Sequence, residues 1–298
     1  MTAATTDTTW YSYTSSTQTM RSWTRVLSSF EEVPEAFQSA LARDVPFPYT
    51  ILLPEDRLSF LQKRREQLLC MDSEQIVVME AGRDQVNVTP HRIDEIFYLE
   101  HGRELLHSWI KIKSASGLSM LSFNTVTMRH FEPIFERIRP KTTAIAGERD
   151  LSAFDYLNGI NYKFMNFGRQ SVRAGENVRY TIYQPDRCIR TVTLFHKTLF
   201  KQHATGHLSI LTDCEIILIR QTKRTKTEGQ NTYGGIFTYI PLHHVQDLSF
   251  ALDEKKSLCV MTITLAEKVV LRVEFDKNHT ELEAFQAAYR DVRTLKRS

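Results

Sequence analysis

The densest run of potential chemistry is Arg220-Gln-Thr-Lys223-Arg224-Thr-Lys226, four cations with only Glu228 close behind. On a hairpin tip such cations could meet phosphates or an anionic membrane surface. Lys197 and Lys201, beside Phe195 and Phe200, would extend that surface. The competing reading is a solvated hairpin whose charges keep a sheet edge from pairing with another chain. His243-His244 has the residue type of a metal pair. Neighbours in a strand point to opposite faces, however, and no third ligand is suitably spaced, so no metal site is expected. His196, His203 and His207 stand near Asp213, but Asp213 reads as a turn residue and catalysis is not assigned to it. A Gly-rich phosphate cradle, a nucleophile elbow and a zinc-protease helix are all missing from the sequence. The expectation is a non-enzymatic protein with no catalytic residue, cofactor or metal.

Composition narrows the class without naming a function. Apolar residues make up 42% and charged residues 24% of 298, ordinary for a globular protein and enough for about two domains. Residues 1–150 hold 17 Lys and Arg against 20 Asp and Glu, and the remainder holds 21 against 15. An anionic partner would therefore dock on the second half; nucleic acid is not expected. Cys70, Cys188, Cys214 and Cys259 are scattered, which excludes a zinc ribbon or a redox CxxC and suggests buried thiols in a reducing cytoplasm. No run approaches the roughly 20 apolar residues that span a bilayer. The Thr- and Ser-rich start lacks the apolar stretch of a secretory signal.

The elements that must position any site are mostly strands. Gly206–Ile219 reads as strand, acidic turn at Asp213, strand; Leu68–Met79 repeats the pattern around Asp72. Asp suits such a turn because its side chain can bond the backbone two residues on. His91-Arg92-Ile93-Asp-Glu-Ile96 parallels His243-His244-Val245-Gln-Asp-Leu248, aligning Ile93 with Val245. Phe131, Ile134, Phe135 and Ile138 form an apolar stripe on one terminal helix, with Pro133 in its first turn. Leu282, Phe285, Tyr289 and Val292 form a second stripe behind a capping box of Asn278 and Glu281. A helix is also predicted over Val33–Ala42, a strand over Thr191–Phe200, and a strand at Leu118–Phe123 with Leu118, Met120 and Ser122 on one face.

Two copies of one β-rich unit emerge, each of six or seven antiparallel strands followed by a helix. Residues 1–30 are expected to be a flexible tail, 31–140 the first unit with its N-terminal helix, 141–155 a linker and 156–298 the second unit. Arg173-Ala-Gly-Glu176, Leu211-Thr-Asp213 with its aliphatic strand, and Val245-x-x-Leu248 resemble the bacterial pleckstrin-homology-like domains. Those domains commonly show a Pro-Gly-Glu before the first strand; here Ala174 replaces the Pro. The resemblance covers about 165–295 and, with fewer matching motifs, 48–139, where Met71 replaces the Thr and the Gly-Glu is missing. It implies a mainly β fold with α, in tandem two-sheet sandwiches or open barrels, each capped by a C-terminal helix. These motifs are core and turn features, so they speak to fold more than to function. The basic pattern by which eukaryotic relatives bind inositol phosphates does not align. The expected function is a protein-binding adaptor in the cytoplasm. The alternative is a peripheral module on the inner face of a membrane, using the 220–226 loop for anionic lipid.

Overall fold

A computed structural model describes residues 23–41, 47–57, 63–83, 85–104, 106–139, 150–194, 197–204, 206–221, 234–254 and 257–295. The strands and helices of the first part are β1 (Arg25–Leu27), α1 (Glu35–Gln38), β2 (Tyr49–Leu53), β3 (Asp56–Arg57), β4 (Lys63–Arg64), β5 (Gln67–Met71), β6 (Gln75–Ala81), β7 (Val86–Arg92), β8 (Ile96–Arg103), β9 (His107–Ser114), β10 (Gly117–Asn124) and α2 (Glu132–Ile138). Then follow α3 (Tyr162–Ser171), β11 (Val178–Gln184), β12 (Arg187–Leu194), β13 (Lys197–Ala204), β14 (His207–Thr212), β15 (Glu215–Gln221) and β16 (Gly235–Pro241). The chain closes with β17 (Val245–Asp253), β18 (Leu258–Leu265), β19 (Val270–Asp276) and α4 (Leu282–Leu295).

The fold is mainly β and antiparallel. Five strands pair in the order β1-β2-β5-β6-β7, seven in the order β10-β9-β8-β16-β15-β14-β11, and three in the order β17-β18-β19. The hairpins β3-β4 and β12-β13 stand apart, and none of these sheets closes into a barrel among the described residues. The seven-stranded sheet has a seam where β8 meets β16, with Arg103 opposite Gly235 and Leu99 opposite Tyr239. The largest apolar core runs beneath this seam, from Ile51 and Leu69 through Phe131 and Phe164 to Ile217 and Tyr239. A second core lies between the three-stranded sheet and α4, with Phe275, Phe285 and Tyr289 at its centre.

Both terminal stripes are buried as expected: Phe131, Ile134 and Ile138 on one side, Leu282, Phe285, Tyr289 and Val292 on the other. Pro133 falls in the first turn of α2. The 266–268 hairpin also forms, with Glu267 and Lys268 at positive φ.

Several expectations are corrected. Arg25–Leu27, within the expected tail, pairs with β2, and Ser152–Leu157, at the expected linker, is a 3-10 helix that buries Phe154. The helix expected over Val33–Ala42 contracts to four residues, because Ala40 and Leu41 bond three rather than four residues back. The strand expected over Thr191–Phe200 is the hairpin of β12 and β13. On β10 the face that carries Leu118 and Met120 is the outer one: they are 56% and 42% exposed, while Ser119, Leu121 and Phe123 point inward. The reason is polar. His91 lies beneath this sheet, its Nδ1 2.7 Å from Ser114 Oγ and its Nε2 2.7 Å from Ser119 Oγ, so an inward serine is satisfied rather than stranded.

The two acidic turns also differ. Asp72 Oδ1 accepts from the N–H groups of Glu74 and Gln75, as expected. In the second turn Thr212 Oγ1 takes that place, accepting from Cys214 and Glu215. Asp213 is thereby freed to accept from the backbone and side chain of Asn177, at the start of β11. The 3-10 turns Ile93–Glu95 and Leu242–His244 are the matching points, so Leu242, not Val245, corresponds to Ile93. Their amides take equivalent carbonyls, Glu74 for Ile93 and Cys214 for Leu242. The capping box does not form either. Asn278 donates its N–H to Asp276, and the N–H of Glu281 goes to His279 Nδ1.

Candidate functional site

Arg220, at the end of β15, is engaged across the seam. Its Nη2 donates to Glu100 on β8, which also accepts from Thr238 Oγ1 at 3.0 Å and Lys111 Nζ at 3.1 Å. Lys197 and Lys201 lie on β13, opposite Leu194 and Thr191. Lys223, Arg224 and Lys226 lie outside the described residues. His243 and His244 are in a 3-10 turn rather than a strand, and their rings are 4.1 Å apart at 47°. The His244 ring also meets the edge of Phe97 at 5.5 Å, and burial pulls its pKa down to about 4. Among the described residues no group of three His, Cys, Asp or Glu is disposed to hold a metal.

The structure assembles a different constellation where the seam meets α2 and α3. Arg139 follows the last turn of α2 in an extended conformation, which drives its side chain into the second half of the chain. Its Nε donates to Glu215 Oε1 at 3.0 Å and Oε2 at 3.3 Å, and its Nη2 donates to Glu215 and, at 2.7 Å, to the carbonyl of Ser171. The guanidinium stacks on Tyr239 at 4.0 Å, within cation–π range. Glu215 is 0% exposed because it opens β15 directly behind the Thr212 turn. Gly175, at φ +83°, makes the bend that delivers Glu176, 3.8 Å from Arg139. Burial disfavours the charge on Arg139, but Glu215, Tyr239 and Glu176 outweigh it and its pKa is raised. Burial, then the charge of Glu215, pushes Glu176 up to about 7 against the pull of Arg139.

Beside this cluster the seam opens into a cavity of about 520 Å³, walled by β8, α3 and β16. His101, 8% exposed, is stacked on Phe237 at 4.7 Å and edge-on to Phe135 at 5.0 Å. Burial, with Arg139 and Arg103 nearby, lowers its pKa to about 3, so the ring is neutral at physiological pH. Its Nδ1 has no hydrogen-bond partner. Phe167 meets Phe237 at 5.1 Å, and Arg103, Glu104 and Gln170 also line the cavity.

The sequence flags Glu176 and Glu215 only as motif neighbours, and Arg139 not at all. An arginine just past an amphipathic helix carries no local signal for a partner 76 residues away. No protein-family model matches the chain, and no curated protein matches it in sequence. No helix among the described residues is long and apolar enough to cross a membrane.

Proposed function

We propose that the chain is a protein-interaction module of two tandem pleckstrin-homology-like units, spanning 31–140 and 156–298, that receives a partner segment as an added strand along β17. The recurrence of one element order supports the tandem reading. A four-stranded run, a 3-10 turn, a three-stranded meander and a helix occur as β2-β5-β6-β7, Ile93–Glu95, β8-β9-β10 and α2. They occur again as β11-β14-β15-β16, Leu242–His244, β17-β18-β19 and α4.

One observation carries the choice of edge. β8 and β17 are equivalent, and β8 is augmented by a strand from the other unit, β16, whereas β17 pairs only with β18 among the described residues. An open edge with unpaired backbone groups is a template for another strand. The α4 side chains of Arg293 and Gln286 donate to the carbonyls of Gln246 and Leu248, so those carbonyls face away from β18. By the two-residue period the backbone groups of Phe250 and Leu252 face the same way. Leu252 is 58% exposed beside them. The occupant is therefore an extended peptide segment, bound by backbone bonds and a side chain packed on Leu252.

Selecting a random peptide library on the full chain tests this. Enriched peptides are expected to lose at least tenfold in affinity on Leu252→Pro, which removes one outward N–H and leaves the β18 ladder in place. Peptides that bind this variant as well as wild type refute the edge. The density of cations in 220–226 favours the alternative of an anionic lipid surface. Salt-sensitive co-sedimentation with anionic liposomes, lost on neutralising Lys223, Arg224 and Lys226, would establish that alternative.

A further inference from the structure

We propose that the cavity at the β8–β16 seam is a binding site for a small amphipathic carboxylate with an aromatic or acyl body. Its volume, about 520 Å³, lies within the few-hundred to roughly 1,000 Å³ of small-molecule sites, which join apolar walls to a few convergent polar groups. Phe167, Phe237 and Tyr239 supply the apolar wall. Gly235 allows that wall to close, since a Cβ there would stand 2.9 Å from the Phe167 ring and 3.1 Å from Phe237.

The polar groups select the head. Arg103 lines the cavity, and among the described residues no carboxylate pairs with it. Arg139 is taken up by Glu215, so Arg103 is the cation that the cavity offers a ligand. Among the described residues Glu104 is the one carboxylate lining the cavity, and burial raises its pKa. Among the described residues Arg103 is the one guanidinium not taken up by a carboxylate at the cavity, which suits a monoanion and undersupplies a phosphate dianion. No lysine among the described residues lines the cavity to make up the difference.

The test measures binding of naphthalene-2-carboxylate, decanoate and the uncharged naphthalene-2-carboxamide to the full chain by calorimetry. Wild-type protein is expected to bind a carboxylate roughly tenfold or more tighter than the amide, as a charge-assisted hydrogen bond requires. Arg103→Gln, at an exposed position, is expected to keep the wild-type melting temperature and lose that preference. Gly235→Ala is expected to displace the two phenylalanine rings and weaken all three probes. The proposal is overturned if neither carboxylate binds, or if Arg103→Gln binds them as wild type does.

Discussion

Replacing Arg139 with Met removes the cation that two buried carboxylates share. The methionine can refill the space over Tyr239, so the loss is mainly electrostatic. Wild-type Arg139 makes hydrogen bonds to both oxygens of Glu215 and to the Ser171 carbonyl while 8% exposed. Without it Glu215 is left charged and fully buried, and breaking a buried pair from one side costs about 3–5 kcal/mol. Domains of ordinary stability hold about 5–15 kcal/mol, so the variant should fold but unfold at markedly lower urea. Adding Glu215→Gln to Arg139→Met removes the stranded charge and should restore more than half of the loss. Urea titrations of wild type, both single variants and the double variant, followed by tryptophan fluorescence, measure these terms. A loss below about 1 kcal/mol for Arg139→Met, or no recovery in the double variant, would refute the clamp.

Acid should destabilise the fold between pH 6.5 and 4. His91, His107 and His244 have folded pKa values of about 4 and His101 of about 3, each lowered first by burial. Below pH 6.5 the unfolded chain binds protons that the folded chain refuses, so their stabilisation is complete above 6.5 and is lost towards 4. Glu176 acts oppositely: raised to about 7, it stabilises most below pH 4.5 and loses that contribution as the pH rises through 7. Four histidines outweigh one glutamate, and unfolding free energies at pH 7.5, 5.5 and 4.5 should decline in that order. Thr212→Val should cost about 2–3 kcal/mol by leaving the buried N–H of Glu215 and that of Cys214 without their acceptor, readable as a lower urea midpoint. Gly168→Ala should cost about 1–3 kcal/mol, because its Cβ would meet Phe154 at 2.6 Å and Leu208 at 3.0 Å; thermal unfolding measures it.

Periodic and local signals carried much of the architecture. The stripes of α2 and α4 and the hairpin turns at Asp72 and 266–268 all follow from spacings within a few residues. Where a pattern satisfied two registers, it misled. Gly117–Asn124 alternates well either way, and only the distant His91 decides that Ser119 faces inward. The second acidic turn misassigned its cap, because Thr212 and Asp213 are adjacent and both have the chemistry. The seam was out of reach for a different reason. β8 and β16 are joined by backbone bonds that do not depend on side-chain type, and their residues lie more than a hundred positions apart. The cavity and the Arg139 cluster exist only because of that pairing, so neither could be read before it.

Hydrogen exchange along β17, with and without a selected peptide, tests the adaptor reading most directly. The Phe250 and Leu252 amides, which face away from β18, should exchange readily in the free chain and become protected by roughly tenfold or more when peptide is bound. Amides of β8, already paired with β16, should be slow in both states. Protection appearing elsewhere while Phe250 and Leu252 stay unchanged would contradict strand addition at this edge.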